Sequence, residues 1–474
     1  MDRERLYVDG QWIAPGGGLT EVLEASTEKV LGHAALADEA DIDRAVAAAR
    51  SALPGWRALA PVERSALLTA FAKALKSRAV DTATLVSREN GMPLSLSVPA
   101  EGHVPAYVLR YYADLVAQRE TVERRPGVFG GDSLVSREPV GVVAAITPWN
   151  YPQALTAMKL GPALAAGCTV VLKAAPETAL DAYVLADAAE EAGLPAGVLN
   201  VVPGGREAGA HLVAHPGVDK VAFTGSTAAG RAIAQECGRL LRPVTLELGG
   251  KSAAVLLDDV DLDVFLAQLL PVCLPNNGQT CHASTRVLAP RSRYDEVVAA
   301  VTSLVSRLVV GDPLDPATQI GPVASSSHRE RVLSLIAAGA GRLTTGGGVP
   351  DREGWFVTPT VFADVTPDDR LFQEEVFGPV MTITAYDDDD HAVSLANDSA
   401  YGLAGTVWTS DEDRGIALAQ RVESGTLGIN HYLLDVVAPF GGVKASGLGR
   451  EMGPEGLTAY EQLKTVYLPK RSSA

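Results

Sequence analysis

Between Val140 and Leu248, short β-branched runs alternate with Ala-, Leu- and Glu-rich stretches, and few folds can accommodate that rhythm. The runs are Val142–Ile146, Thr169–Lys173, Val198–Val202, Lys220–Phe223 and Val244–Leu248. With helical segments such as Asp181–Ala192 and Thr227–Cys237 between them, they predict successive βαβ units in a parallel, doubly wound sheet. Gly193 and Gly238 stand where those helices are expected to stop.

Upstream, Asp38–Ser51 and Pro61–Ser77 carry apolar residues at helical spacing and are expected to pack onto this sheet. Residues 251 to 446 repeat the α/β texture, with a helical stretch at Tyr294–Leu308, and predict a second α/β unit. Arg119–Arg137 and Leu457–Leu468 read as alternating strand material, suited either to an edge hairpin or to pairing with another subunit. Asp387–Asp390 is expected to be a solvated acidic turn.

Composition narrows the function classes. The chain has 474 residues, 47% hydrophobic and 20% charged, enough for two or three packed domains. Its net charge of −17 opposes binding to a nucleic-acid backbone. Cys168, Cys237, Cys273 and Cys281 form no C-x-x-C pair, which fits a reducing compartment. Met1–Arg5 leads into no apolar leader core, and no run of 18 apolar residues occurs. The expectation is a cytoplasmic protein that meets neither membrane nor nucleic acid, with no metal-ligand set.

Four segments carry residues able to do chemistry. In Pro275-Asn276-Asn277-Gly278-Gln279-Thr280-Cys281-His282 a thiol sits among amides and a hydroxyl, whereas an inert cysteine prefers an apolar run. A thiolate there could attack a carbonyl carbon; adjacent His282 is read as a wall residue, because neighbours in one loop rarely aim at the same atom. Glu247 stands between leucines at a strand end followed by Gly249-Gly250, where apolar surroundings raise a carboxyl toward a general base and glycines admit a ligand. Phe223-Thr224-Gly225-Ser226-Thr227 is a strand end, turn and helix start able to hold a pyrophosphate, although it lacks the P-loop lysine and the full three-glycine fingerprint. Thr147-Pro148-Trp149-Asn150-Tyr151-Pro152 holds a side-chain amide in a stiff turn, suited to an oxyanion; Lys173 ends a strand within reach of a ribose. Taken singly, each also has a bland reading as an ordinary turn, surface carboxylate or strand-end lysine.

Together, TPWNYP, VVLK, FTGSTAAG, LELGGK, GQTC, EEVFGPV and PFGGVKASGLGRE resemble, in order and spacing, the NAD(P)-dependent aldehyde dehydrogenase superfamily of the non-acylating, hydrolytic kind. Arg88-Glu89-Asn90-Gly91 and Lys464-Thr465-Val466 extend the likeness over nearly the whole chain. The resemblance implies an α/β fold with two doubly wound domains and a small β oligomerisation element. Its implied divisions are 1–116 with 140–250 for the cofactor, 251–446 for catalysis, and 117–139 with 447–474 for assembly into a homodimer or homotetramer.

It further implies oxidation of an aldehyde to the acid. Cys281 would be the nucleophile, Asn150 and the Cys281 N–H the oxyanion donors, and Glu247 the base that activates water against the thioester. Lys173, Gly225, Ser226, Trp149, Ile146, Gly249, Glu375 and Phe377 would bind NAD. Pro176 stands where many members carry an acid facing the ribose, so rejection of NADP is expected to be weak. Tyr151, Leu155 and Met158 fall on one helix face, and the resemblance sets Thr280, His282 and Phe440 opposite, predicting an apolar, aromatic-rimmed pocket for medium aliphatic or aromatic aldehydes. A CoA-acylating relative, a non-catalytic relative and a cysteine hydrolase are the rival readings; Glu247 disfavours the first, and joint retention of Cys281, Glu247, Asn150, Lys173 and Glu375 disfavours the second.

Overall fold

The computed structural model describes residues 1–469. An eight-stranded sheet is built around Leu199–Val201, Thr169–Lys173, Val142–Ile146, Lys220–Thr224 and Val244–Glu247, which lie side by side in that order and parallel. Helices cover both faces, so Val142–Ile146, Thr169–Lys173 and Lys220–Thr224 are buried at every position. From Val142–Ile146 the chain builds outward on one side, then crosses to Lys220–Thr224 on the other. The turns after Ile146 and Thr224 therefore flank the switch point, where open α/β sheets form a ligand crevice.

A seven-stranded sheet runs in the order Arg342–Thr345, Thr360–Ala363, Val380–Tyr386, Arg286–Pro290, Ala253–Leu256, Gly405–Trp408 and Gly428–Ile429, parallel except for Arg342–Thr345. Val244–Glu247 is the last parallel strand of the first sheet and Ala253–Leu256 the first strand, in chain order, of the second, so residues 248–252 form the seam between the two sheets. Gly447–Leu448 returns to the first sheet and pairs antiparallel with Leu246 and Glu247. A third, antiparallel sheet joins Val122–Pro126, Asp132–Pro139 and Glu461–Leu468. Thus Arg119–Arg137 forms a hairpin that pairs with the distant tail of the same chain. Residues 470–474 of the expected assembly element lie outside the described residues.

Several expected boundaries move. The first helix runs Glu39–Ala58, past Pro54, because Trp56 is buried beyond the proline and its indole N–H donates to the Leu164 carbonyl at 3.2 Å. Asp38 and Asp41 close its start as a reciprocal capping box. Gly238 lies inside helix Thr227–Arg239 rather than at its end; the left-handed residue is Leu241, φ 52°. The acidic run starts a helix, Asp389–Asn397, whose N-cap is Asp388, since carboxylates favour the positive helix start. Of Leu457–Leu468, only Glu461–Leu468 is strand; Gly453–Thr458 is helical. Among the described residues, no helix is long and apolar enough to cross a membrane.

Candidate active site

The loop carrying Cys281 is held in a conformation that few side chains tolerate. Asn276, Asn277 and Gly278 are successively left-handed, with φ of 49°, 61° and 79°. Asparagine visits that region at low cost, and glycine is required at 278, where a Cβ would meet the Gly378 carbonyl oxygen at 2.0 Å. Amides lock the loop: Asn277 donates to the carbonyls of Gly91 and Pro322, both at 2.8 Å, and accepts from the Gly321 N–H at 2.6 Å. Gln279 donates to the Asn90 carbonyl at 3.2 Å and accepts from the Ala324 N–H at 2.9 Å. The Thr280 hydroxyl donates to the Pro275 carbonyl at 3.0 Å and so accepts from the Tyr151 hydroxyl at 2.9 Å.

The turn after Val142–Ile146 faces this loop. The Asn150 side-chain amide donates one hydrogen to the Gln279 carbonyl at 2.9 Å, which sets it beside the cysteine loop. Trp149 meets Phe377 and His328 edge-on, with ring centroids at 5.5 and 5.1 Å, and His328 donates to the Phe377 carbonyl at 2.6 Å. A cleft of about 250 Å³ is lined by Pro148, Trp149, Asn150, Thr224, Gly225, Ser226, Leu248, Gly249, Cys281, His328, Arg331, Glu375 and Phe377. Ile146 and Lys173 end neighbouring strands in register but do not line this cleft. Ser226 caps helix Thr227–Arg239, accepting from the Ala229 N–H at 3.3 Å, so its hydroxyl hydrogen remains able to donate. A Cβ at Gly249 would sit 2.4 Å from Glu375 Oε2, so an alanine there would displace the Glu375 carboxyl.

Burial governs the electrostatics. The Cys281 thiol is pushed well above its ordinary value by desolvation, and further by Glu375 and Glu247, so it rests protonated. Glu247, 3% exposed, has no partner on either carboxyl oxygen among the described residues. Desolvation raises it well above the carboxylate range and Glu451 adds to this, while Lys159 and Arg450 offset part. Lys159 and Glu451 form a buried pair at 2.7 Å, with Lys159 also donating to the Thr224 hydroxyl at 2.5 Å. Glu375 is raised to about 7 by burial, opposed by the Gly250 N–H, which it accepts at 2.9 Å, and by Arg331 and Lys251. Burial lowers Lys173 to about 8, and Glu177 partly restores it. Pro176 opens a short 3-10 turn and carries no charge; the acid acting on Lys173 is the exposed Glu177.

Leu155 and Met158 are buried on helix Pro152–Ala166, and His282, next to Cys281 in the chain, stacks on Tyr432 at 5.0 Å with Phe440 edge-on at 6.3 Å. Burial lowers His282 to about 4, leaving a neutral imidazole. The Tyr432 hydroxyl is 2.7 Å from that of Thr426. Sequence reasoning missed Tyr432, His328, Arg331 and the Lys159–Glu451 pair, and gave Asn90 no role beyond its motif. One signal was readable: Lys159 is the only charge in Pro152–Ala166.

The half-buried Cys281 thiol thus lines a crevice at the switch point of a doubly wound sheet. The chain belongs to the aldehyde dehydrogenase family, whose model matches residues 12–466. As a member it is an oxidoreductase acting on the aldehyde group. It is 53% identical to a geranial dehydrogenase of Castellaniella defragrans, with 99% of each chain covered. A Mycobacterium tuberculosis aldehyde dehydrogenase crystallised with NAD+ superposes at a TM-score of 0.97, with 46% identity and 100% of both chains covered. A variant of aldehyde dehydrogenase C from Pseudomonas syringae, in complex with NAD+ and octanal, gives 0.93 at 38% identity over 98% of this chain and 96% of that one.

Proposed function

We propose that this protein oxidises a medium-length, apolar aldehyde to its carboxylic acid with NAD, through a thioester on Cys281 that Glu247 hydrolyses. The observation that carries this reading is Glu247 itself: a buried carboxyl without a partner among the described residues, on the strand that leads into the cleft holding Cys281. Cys281 Sγ releases its proton to solvent and bonds to the carbonyl carbon, whose π electrons move onto the oxygen. The resulting oxyanion is held by the Asn150 amide, which has one hydrogen not committed to Gln279, and by the Cys281 N–H. NAD, when bound, would accept the hydride as the C–H bond of that carbon breaks, leaving the acyl group as a thioester on Cys281. Glu247 then takes a proton from water, the oxygen attacks the acyl carbon, the C–S bond breaks and the acid leaves.

The residues fit a dinucleotide. Ser226 and the free N–H groups of helix Thr227–Arg239 suit a pyrophosphate, and Lys173 a ribose. Glu375 suits the second ribose, Trp149 and Phe377 form aromatic walls, and Gly225 and Gly249 leave room beside them. Because Pro176 cannot repel a 2′-phosphate, NADP is accepted as a weaker alternative.

Tyr151, Leu155, Met158, Thr280, His282 and Phe440, joined by Tyr432, form the aldehyde wall; neutral His282 supports an uncharged substrate. The relative named for geranial and the structure that contains octanal favour the same class. The divisions 1–116 with 140–250 serve the cofactor and 251–446 catalysis; assembly rests on 117–139 with Glu461–Leu468, since Gly447–Leu448 belongs to the first sheet. The exposed Val122, Leu463 and Tyr467 of the third sheet support a homodimer or homotetramer.

An aldehyde panel run with NAD, with NADP and with added CoA tests this. Hexanal, benzaldehyde and geranial should give free acid, with NAD preferred, and Cys281→Ser should abolish turnover. Dominance of betaine aldehyde or a semialdehyde acid by a wide margin in kcat/KM would remove the substrate class, and acyl-CoA as product would remove the hydrolytic step.

A further inference from the structure

We infer that Asn90 is a positioning residue that locks the Asn150 turn and the Cys281 loop into one geometry, an inference that rests on the proposed roles of those two residues. Asn90 ends helix Ala79–Asn90 and is fully buried. It does not line the cleft. Its side-chain amide spends both hydrogens on the opposite turn, donating to the carbonyls of Trp149 and Asn150 at 3.0 Å each. Its side-chain oxygen accepts from the Met92 N–H at 3.0 Å. Its own carbonyl accepts from Gln279 of the cysteine loop at 3.2 Å.

The grip extends one residue further. Gly91, at φ 81°, turns the chain so that its carbonyl accepts from Asn277 at 2.8 Å, and a Cβ there would lie 2.1 Å from the Pro322 carbonyl oxygen. Two consecutive residues thus hold the loop before Cys281, while Asn90 alone also holds the turn that carries Asn150. Asn276 shares the Asn150 carbonyl at 2.8 Å, and Asn150 donates back to Gln279 at 2.9 Å, so the assembly closes into a ring of amides.

Only a primary amide of this length can hold two carbonyls while accepting from a third group. Aspartate would set an oxygen against two oxygens, and alanine would leave both carbonyls buried without donors. The aim of the Asn150 amide depends on that clamp, and an oxyanion donor is worth about 10²- to 10³-fold in rate.

The test is a double-substitution cycle read by first-turnover NADH formation at saturating hexanal and NAD, below the melting temperature of every variant. Asn90→Ala alone should slow the first turnover by at least about tenfold. In the Asn150→Ala background the same change should cost less than about threefold, because the donor it aims is already gone. A residue that only supports the fold would lose the same factor in both backgrounds; that outcome, or an unchanged rate in Asn90→Ala, overturns the inference. Should Asn90→Ala fail to fold, Asn90→Ser, which keeps one donor, carries the same cycle. A wild-type enzyme inert toward every aldehyde would sink the proposed function instead, so the two failures are distinguishable.

Discussion

Replacing Gly250 by alanine measures how tightly the seam between the sheets is built. A Cβ at Gly250 would lie 2.3 Å from the Cys281 carbonyl oxygen, where ordinary contact begins at 3.4 Å. The Cys281 main chain must therefore retreat by about 1 Å. Gly250 is absent from the left-handed glycines, so alanine adds no backbone strain and the whole effect is a steric push. A misplacement of about 1 Å costs a near-attack geometry roughly 10²-fold, or about 2.7 kcal/mol of barrier. Overpacking costs folding stability about 1–3 kcal/mol independently. Rapid mixing with hexanal and NAD gives the first factor and urea unfolding gives the second. Gly238→Ala is the control, since nothing lies within 4 Å of its Cβ; it should leave turnover intact and add up to about 1 kcal/mol of stability. A Gly250→Ala enzyme with a wild-type first turnover would refute the claim that the Cys281 main chain is rigidly placed.

Glu247→Gln should lower steady turnover by about 10²- to 10⁴-fold while changing the first turnover little; equal losses in both phases would make Glu247 an activator of the thiol rather than of water. Glu101, which caps helix Pro152–Ala166 by accepting from the Gln153 N–H at 2.8 Å, is raised to about 8 by burial from an ordinary 4.5. The folded state therefore binds more protons than the unfolded chain between those values, and stability falls as pH rises through that window; Glu101→Gln should flatten the decline, by roughly 5 kcal/mol at most, and an unchanged slope in urea midpoints would show that Glu101 is already ionised. Pro176→Glu should shift preference toward NAD over NADP by about tenfold, seen in the ratio of the two kcat/KM values, and an unmoved ratio would place the ribose elsewhere.

What could be read from the sequence follows from what is periodic or locally encoded. Val142–Ile146 and Thr169–Lys173 were legible to the residue, because buried parallel strands are short β-branched runs between glycines and helices. Cys281 and Glu247 stood out because each contrasts with its immediate neighbours. Gly447–Leu448 left no trace, since two residues carry no period and their pairing with Leu246 and Glu247 spans about two hundred positions. Tyr432 and Arg331 were equally silent: a tyrosine in a loop and an arginine on a helix acquire meaning only from what lies across the seam. Asn90 was noticed as part of a motif, but its two acceptors, on Trp149 and Asn150, exist only in three dimensions.

The return of Gly447–Leu448 to the first sheet also sets when the enzyme can become competent. A nascent chain emerging at about 5–20 residues per second can assemble the central parallel strands early. Glu247 lacks its antiparallel neighbour, and the nearby Glu451, until the ribosome has passed both. Cys281 is thus translated long before the segment that encloses Glu247, and a chain stalled short of residue 447 would leave that carboxyl without the strand beside it.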